Sequence, residues 1–209
     1  MKFIHQPNQK LIEVSKVISE KKSYLSVTGL TGKESEQGIL DWRKRVGDEV
    51  ADKIMKEASE RGTTIHKFCE HYLGNEEILI PENKISNYYT FKAMKPELNN
   101  INKIWGLEIP LWSEEYKLKG RCDCIGYYKG TLSMIDFKTS KKQKKREWLG
   151  GYFVQATAYA EMVREHTGIK IPNLVLLFGI SDYNVVKVFE DKTENHIKEL
   201  NRMNNEFNK

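Results

Sequence analysis

Two aspartates, Asp123 and Asp136, occupy neighbouring predicted strands in the stretch GRCDCIGYYKGTLSMIDFKTSKK, residues 120–142. A two- or four-residue turn centred on Lys129 and Gly130 would place them directly opposite each other, with Cβ atoms about 4.5–5.5 Å apart. Two unit charges about 5 Å apart repel by about 3 kcal/mol at an effective dielectric constant of about 20. The pair therefore needs a compensating positive charge.

Two kinds of positive charge satisfy this requirement. Lys138 and Arg121 would share the face of the aspartates, because side chains alternate along a strand. A divalent cation between the carboxylates is the other solution, since Mg²⁺ prefers oxygen ligands and completes its shell with water and substrate phosphate. The residues leave both solutions open, although the pairing favours the metal. A bulge or an odd-length turn would remove the register on which this inference depends.

The same alternation places Cys122 and Cys124 on the opposite face of the hairpin, with Ile135 and Phe137. A Cys-x-Cys pair is compatible with zinc, but the sequence has no second cysteine pair to complete a tetrahedral site. Cys69 is the third cysteine, and an odd, sparse set argues against a secreted disulfide scaffold. We therefore interpret the cysteines as core residues.

The order of the surrounding elements predicts an α/β domain with a mixed sheet. Helical periodicity runs from Trp42 to Leu73 with a break expected at Arg61–Gly62, and residues 24–32 are predicted as a strand or loop closed by glycines. The other predicted elements are a helix at 85–101, strands at 104–115, 116–128 and 131–139, a helix at 146–166, strands at 173–180 and 184–190, and a closing helix from Asp191.

Composition is that of a soluble globular protein. The chain has 209 residues, 30% charged residues and a formal net charge of +5, which weakly favours a polyanionic partner. No apolar run reaches the length of a membrane helix, and the first residues lack the apolar core of a signal peptide, so we expect a cytoplasmic protein without membrane contacts. We expect one domain over residues 1–209, with a mostly helical portion (1–103), a catalytic sheet and helix (104–190) and a closing helix (191–209).

Four motifs in order resemble those of the PD-(D/E)XK nuclease superfamily. Gly120-Arg-Cys-Asp123 and Asp136-Phe-Lys138 look like its GxxD and DxK motifs. RGTTIHKFCE (61–70) and QATAY (155–159) look like the RGTxxH and QxxxY motifs of its RecB-like branch. Within that branch the chain is similar to phage exonucleases related to the mitochondrial genome maintenance exonuclease, on the stretches YLSVT (24–28), WRKRVG (42–47) and HKFCEHYLG (66–74).

The resemblance implies a restriction-endonuclease-like core, with a mixed sheet of about five strands flanked by helices. It also implies Mg²⁺ or Mn²⁺ held by His66, Asp123, Asp136 and the Phe137 carbonyl, a ligand set that suits both ions. Lys138 would then stabilise charge on the scissile phosphate and orient the attacking water. The departures are Leu25, where the family often has proline, and the absence of cysteines after position 124, so we expect no iron–sulfur cluster.

The remaining site residues carry open alternatives. Glu70, four residues after His66, would orient the imidazole or be an ordinary surface charge. Gln155 would position Lys138 or the substrate, whereas Tyr159 would contact substrate or simply pack. Candidates for substrate binding in addition are Ser26, Thr28, Arg121, and Lys141 and Lys142 of the basic run KTSKKQKKR (138–146), which is equally compatible with a solvated loop.

The predicted function is a metal-dependent exodeoxyribonuclease that prefers single-stranded DNA ends, in phage or bacterial recombination, repair or DNA degradation. Replication or recombination proteins are the expected protein partners. The alternatives are a structure-specific endonuclease, an RNA-processing nuclease of the same fold, and an inactive DNA-binding accessory protein. The intact set of Asp123, Asp136 and Lys138 argues against the last of these.

Overall fold

The computed structural model describes residues 2–21 and 23–207, without the side chain of Glu34. Its secondary structure is a mixed α/β arrangement, which confirms the predicted fold class. Helices α1–α6 span Gln9–Lys16, Val27–Val46, Asp48–Leu73, Ile85–Leu98, Gly150–Thr167 and Ile197–Phe207. Strands β1–β6 span Leu25–Ser26, Ile101–Ser113, Leu118–Tyr128, Thr131–Ser140, Asn173–Ile180 and Val185–Lys192.

Two hydrophobic clusters lie on opposite faces of one mixed sheet. Helix α5 packs on one face with α1, α2 and α6 around it, and its buried stretch 153–163 supplies much of that cluster. Helices α3 and α4 pack on the other face against β4, β5 and β6. Because α2 and α3 are consecutive helices on opposite faces, the chain crosses the end of the sheet between them, at Gly47.

Strand β3 has a gap along one of its edges. Strand β2 pairs antiparallel with it along residues 118–128, with a local irregularity. On the other edge, β4 pairs with Cys124–Tyr128 and the short β1 pairs with Leu118 and Lys119. Within the described chain, residues 120–123 therefore have no paired strand on that edge.

The hairpin between β3 and β4 has the predicted register. Residues Cys124–Tyr128 pair with Thr131–Ile135, and the turn is made by Lys129 at φ 48° and Gly130 at φ 85°. Two successive left-handed residues are the requirement of a type I′ turn, whose twist matches that of the flanking strands. The tight turn inferred from the Lys–Gly pair is confirmed.

The regular ladder ends before the charged residues, which corrects part of the sequence prediction. Asp123 and Asp136 are not a ladder pair, and neither are Arg121 and Lys138. Instead the backbone N–H of Phe137 donates a 2.6 Å hydrogen bond to Asp123 Oδ2. A side-chain carboxylate thus takes the place of a backbone carbonyl at the point where the two strands separate.

The predicted placement of both cysteines on one face is also wrong. Cys124 packs with Ile135 and Phe137 as expected, but Cys122 packs in the cluster on the α5 face. The alternation is broken at Asp123 and at Glu108 on the neighbouring β2, whose φ of 50° is left-handed. A local irregularity in both strands reverses the faces of the residues that follow. All three cysteines are buried, as predicted.

The N-terminal region differs most from its prediction. Residues 24–32 contain only the two-residue β1, after which α2 begins, and Ser26 Oγ caps it by accepting a 3.0 Å hydrogen bond from Gly29 N–H. The long helical segment breaks at Gly47, φ 86°, rather than at Arg61–Gly62. The short α1 was not predicted.

The later elements follow the prediction closely. Pro96 lies inside the last turn of α4, and α5 starts at Gly150 after a short 3₁₀ turn at Arg146–Trp148. The closing helix α6 lies within its predicted range, of which residues 208 and 209 fall outside the described chain. No helix among the described residues has the length and apolarity needed to cross a membrane.

Candidate active site

The gap beside β3 brings together residues that are far apart in the chain. His66 of α3 places Nδ1 3.5 Å from Asp123 Oδ1, while the other carboxylate oxygen of Asp123 accepts the Phe137 N–H. The imidazole of His66 also packs edge-on against the Phe137 ring, with centroids 6.0 Å apart. Three of the four residues predicted to hold a metal are therefore in mutual contact.

The fourth, Asp136, pairs with the predicted catalytic lysine. Lys138 Nζ lies 2.7 Å from Asp136 Oδ2, and both side chains are largely buried. That oxygen is nevertheless without a well-aligned hydrogen bond from any described residue. An incompletely satisfied buried carboxylate oxygen is what a cation site in its metal-free form presents, because buried polar atoms normally find partners.

Glu108 joins this cluster, although it was not among the predicted site residues. Ligand atoms of His66, Glu108 and Asp123 all lie within 4.8 Å of one another. The left-handed backbone of Glu108 turns its side chain toward the residue that opposes it on β3, namely Asp123. The signal in the sequence was a single carboxylate, Glu108, inside the apolar strand IWGLEIPLW.

Two cavities border the cluster, one on each side of the sheet. A cavity of about 460 Å³ opens on the α3 side and a second of about 610 Å³ lies between α2 and α5. The first is lined by Gly62, Thr63, His66, Lys67, Glu70, Glu108 and Asp123. The second contains Lys138 and Gln155 in its wall. The catalytic residues thus lie between two spaces that can each admit substrate.

Burial and mutual repulsion raise the pKa of two carboxyl groups. Burial, the charge of Asp123 and the charge of Glu70 together raise the pKa of Glu108 to about 7. Burial also raises the pKa of Asp136 to about 6, since it and the charge of Asp123 outweigh the opposing ammonium of Lys138. Without a cation the cluster therefore holds protons near neutral pH.

The partners of Asp123 have the opposite effect on it. Burial alone would raise the pKa of Asp123, but His66, Lys138 and the Phe137 N–H lower it below its ordinary value. For His66, burial favours the neutral ring, yet contact with Asp123 raises its pKa overall. Burial opposes the charge of Lys138 too, and the two aspartates outweigh it and raise its pKa. Lys138 is consequently a charged ammonium in the metal-free protein.

Gln155 and Tyr159 of α5 separate in role once their surroundings are known. Gln155 lines the cavity that also contains Lys138. Tyr159 is 3% exposed, and its hydroxyl packs against Gly120, where an added Cβ would lie only 2.7 Å from it. Of the two alternatives for Tyr159, the structure therefore favours packing over substrate contact, and it explains the glycine of the GxxD motif.

The Gly120→Ala substitution tests this contact. We expect it to destabilise the protein by about 1–3 kcal/mol, because the new methyl group overlaps the Tyr159 ring. Gly38→Ala in the middle of α2 is the control, since its Cβ meets nothing within 4 Å and alanine favours a helix by about 0.5–1 kcal/mol. Urea unfolding measures both, and equal midpoints for the two variants contradict the packing role.

The predicted substrate-binding residues are dispersed. Thr28 lines the α2–α5 cavity, whereas the Ser26 hydroxyl is used to cap α2. Lys141 forms a 3.3 Å ion pair with Glu57 in a separate cavity on the α3 side. Lys142 is exposed, and the guanidinium of Arg121, also exposed, lies 3.9 Å from Glu108.

Glu70, the residue predicted to orient His66, shares the cavity on the α3 side with it. The Nδ1 atom of His66 faces Asp123 instead, at 3.5 Å. Contact between Glu70 and the imidazole thus stays a prediction.

Comparison with known proteins agrees with this geometry. Mitochondrial genome maintenance exonuclease 1 of Mus musculus is 28% identical over 107 residues, and that of Homo sapiens is 28% identical over 122 residues. These alignments cover 49% and 56% of this chain, and 32% and 33% of those proteins. An ATP-dependent helicase/nuclease component of Clostridium botulinum is 30% identical over 185 residues, covering 69% of this chain and 14% of that protein.

The chain therefore spans about a third of the mitochondrial exonucleases and a smaller part of the clostridial protein. Residues 43–207 match the description of the PD-(D/E)XK nuclease superfamily, and this range contains His66, Asp123, Asp136, Lys138 and Gln155. The match covers well over half of the chain, and the mixed sheet and the cluster at its gap agree with a nuclease-type hydrolase. The chain belongs to the PD-(D/E)XK nuclease superfamily.

Proposed function

We propose that the protein is a metal-dependent exodeoxyribonuclease that acts on single-stranded DNA ends, in phage or bacterial recombination, repair or DNA degradation. The observation that carries the proposal is the pairing of a charged Lys138 with Asp136 beside the His66, Glu108 and Asp123 cluster. This is an arrangement of hard ligands and one cation around a small space that two cavities reach. Sequence similarity to proteins named exonucleases supports the mode of attack.

The described residues fit a divalent cation. Asp123 and Asp136 supply carboxylate oxygens on adjacent strands, and Asp136 Oδ2 lacks a well-aligned donor. We propose that these two residues, His66 and the Phe137 carbonyl hold the ion, with Glu108 close enough to contribute a further oxygen. A bound Mg²⁺ or Mn²⁺ supplies Lewis acidity and lowers the pKa of water.

Side chains of the protein perform the remaining tasks. Lys138 directs its ammonium toward the position of the scissile phosphate and stabilises the negative charge that grows there in the transition state. The contact with Asp136 holds that ammonium in place before substrate arrives. Gln155, in the same cavity wall, positions the substrate backbone, and Glu70 completes the wall on the His66 side.

Cleavage of linear and circular DNA tests the proposal. Linear single strands labelled at either end, circular single strands, duplex DNA and RNA are incubated with Mg²⁺ or Mn²⁺, and with EDTA as the control. We expect shortening of the linear strand, intact circles and no cleavage in EDTA. Cutting of circles replaces the exonuclease by an endonuclease, preference for RNA replaces the substrate, and cleavage in EDTA overturns the metal-dependent mechanism.

Metal affinity is expected to increase with pH. Asp136, with its pKa of about 6, and Glu108, with its pKa of about 7, must lose their protons before they can bind a cation. The apparent affinity for Mn²⁺ should therefore rise between about pH 5.5 and 7.5, by up to about tenfold per pH unit for each proton displaced. Calorimetric titration at a series of pH values measures this, and a flat profile contradicts it.

Glu108→Gln separates the contribution of the upper titration. We expect it to reduce Mn²⁺ affinity at pH 8 by about tenfold and to make the pH profile level off nearer pH 6.5. Without metal, carboxyls with raised pKa values stabilise the fold at low pH, and this contribution is lost as pH rises through about 6 and 7. In EDTA, Glu108→Gln should thus lose less stability than the wild type between pH 5 and 8, as measured by urea unfolding.

A further inference from the structure

An exposed tryptophan borders the cavity that contains Lys138. Trp148 lies in the short 3₁₀ turn before α5 and is 58% exposed. Its position on the helical stripe of residues 146–166 predicted packing, and the structure shows that the indole is instead largely open to solvent. An indole left in water forgoes the favourable burial that a large aromatic ring normally gains, so another role is needed to explain it.

The cavity beside Trp148 is shaped by two helix ends. One wall comes from the first turns of α2, and the other from the 3₁₀ turn and the first turns of α5. We call this cavity of about 610 Å³ the Trp148 groove. It is lined by Thr28, Thr31, Gly32, Ser35, Lys138, Glu147, Trp148, Gly150, Gly151, Tyr152 and Gln155.

The groove is continuous with the catalytic centre. Lys138 and Gln155 form part of its wall, and Lys138 Nζ lies 5.3 Å from the centroid of the Tyr152 ring. A substrate whose scissile phosphate lies at Lys138 must therefore place an adjoining nucleotide either in this groove or in the cavity on the α3 side. The α3-side cavity contains Glu70, Glu108 and Asp123, so its wall is mostly acidic.

Charge and aromatic character favour the Trp148 groove for the nucleotide. Lys145 Nζ lies 5.5 Å from the Trp148 ring centroid, and the basic run from Lys138 to Arg146 leads directly to this position. Glu147 also lines the groove, but its carboxylate lies 3.9 Å from Lys145 Nζ and is partly neutralised by it. The hydroxyl of Thr28 and the backbone of Gly150 and Gly151 complete a polar floor of the kind that phosphates contact.

We propose that the Trp148 groove is a subsite for the nucleotide next to the scissile phosphate, whose base stacks on the Trp148 indole. This proposal rests on the proposed function and identifies what would make the site selective for single strands. A base that stacks on a protein side chain has to leave the stack of its own duplex, so an unpaired strand binds without that loss. Stacking on an aromatic residue tolerates any base, which suits a nuclease without sequence preference.

Binding in EDTA tests the subsite without cleavage. Fluorescence anisotropy of a labelled single-stranded oligonucleotide is measured with the wild type, Trp148→Ala, Trp148→Phe and Tyr183→Ala. Tyr183 is the matched control, because it is 63% exposed and does not line the groove. We expect Trp148→Ala to weaken binding by roughly ten- to hundredfold, Trp148→Phe to retain most of it, and Tyr183→Ala to match the wild type.

Abasic oligonucleotides give a second readout that a change in folding does not imitate. A single abasic site is moved along the strand one position at a time. We expect one position at which removal of the base weakens wild-type binding, and no such penalty at that position in Trp148→Ala. Equal binding by Trp148→Ala and the wild type, or the same abasic penalty in both, overturns the subsite while cleavage by the wild type still upholds the nuclease. A wild type that neither binds nor cleaves DNA overturns both proposals.

Discussion

The Lys138→Ala variant is expected to cleave DNA at least about 10²–10³ times more slowly than the wild type, and this is the size of loss seen when one preorganised charge-stabilising donor is removed. The ammonium of Lys138 lies 2.7 Å from Asp136 and is largely buried, so its position is set before substrate binds. Burial disfavours its charge, but the two aspartates raise its pKa, and it is charged throughout the pH range of an assay. Single-turnover cleavage of an end-labelled strand measures the loss.

Two controls separate this chemical role from a structural one. Lys187→Ala removes a lysine from β6 that lies 5.3 Å from the Phe189 ring, and we expect wild-type cleavage. Mn²⁺ titration of Lys138→Ala should give binding no weaker than that of the wild type, because the variant removes a positive charge and no predicted ligand. Unchanged cleavage in Lys138→Ala would falsify the assigned role.

Asp123→Asn is the substitution with the second large expected effect. Asp123 contacts His66 through one oxygen and the Phe137 N–H through the other, and it belongs to the group of ligand atoms that also includes Glu108. Loss of its charge should weaken Mn²⁺ binding by at least about a hundredfold, the upper end of the loss seen when only an outer partner of a ligand is removed. Cleavage should fall to background, as measured beside calorimetric metal binding.

The fold should tolerate this change. An asparagine oxygen can still accept the Phe137 N–H, and the substitution removes one of the carboxylates that repel Asp136 and Glu108. We therefore expect similar unfolding midpoints in EDTA, and a stabilisation by Mn²⁺ that only the wild type shows. Asp191→Asn is the control, because Asp191 pairs with Arg146 and His196 and lies outside the cluster. Equal Mn²⁺ affinity of Asp123→Asn and the wild type contradicts its role as a ligand.

Local chemistry explains why the hairpin could be predicted. Lys129–Gly130 between two runs of strand-forming residues has few alternatives to a type I′ turn, and that turn determines the register of Cys124–Tyr128 against its partner strand. The charged residues lie just beyond the end of that ladder, where no local rule applies. Their predicted pairing failed there because the two strands separate and Asp123 takes over a backbone hydrogen bond.

Long-range packing explains the residues that were missed or misjudged. Glu108 has no motif, and only the left-handed turn of β2 beside β3 brings it to Asp123. Tyr159 is a sterically required partner of Gly120, a contact between residues of two different motifs that their spacing does not reveal. The helix break moved to Gly47 because that glycine adopts a left-handed backbone between α2 and α3, whereas Gly62 is accommodated within α3.

By itself the sequence determined the types and order of the chemical groups: the two aspartates, the lysine, the histidine before them and the glutamine after them. Residue type and short-range periodicity are sufficient for this, since both are local properties of the chain. Only the tertiary structure decided how these groups meet. A gap in the sheet, an irregularity shared by β2 and β3, and an exposed Trp148 beside Lys138 all depend on which strands and helices pack together. Such contacts join residues with no regular spacing, so they are decided by packing.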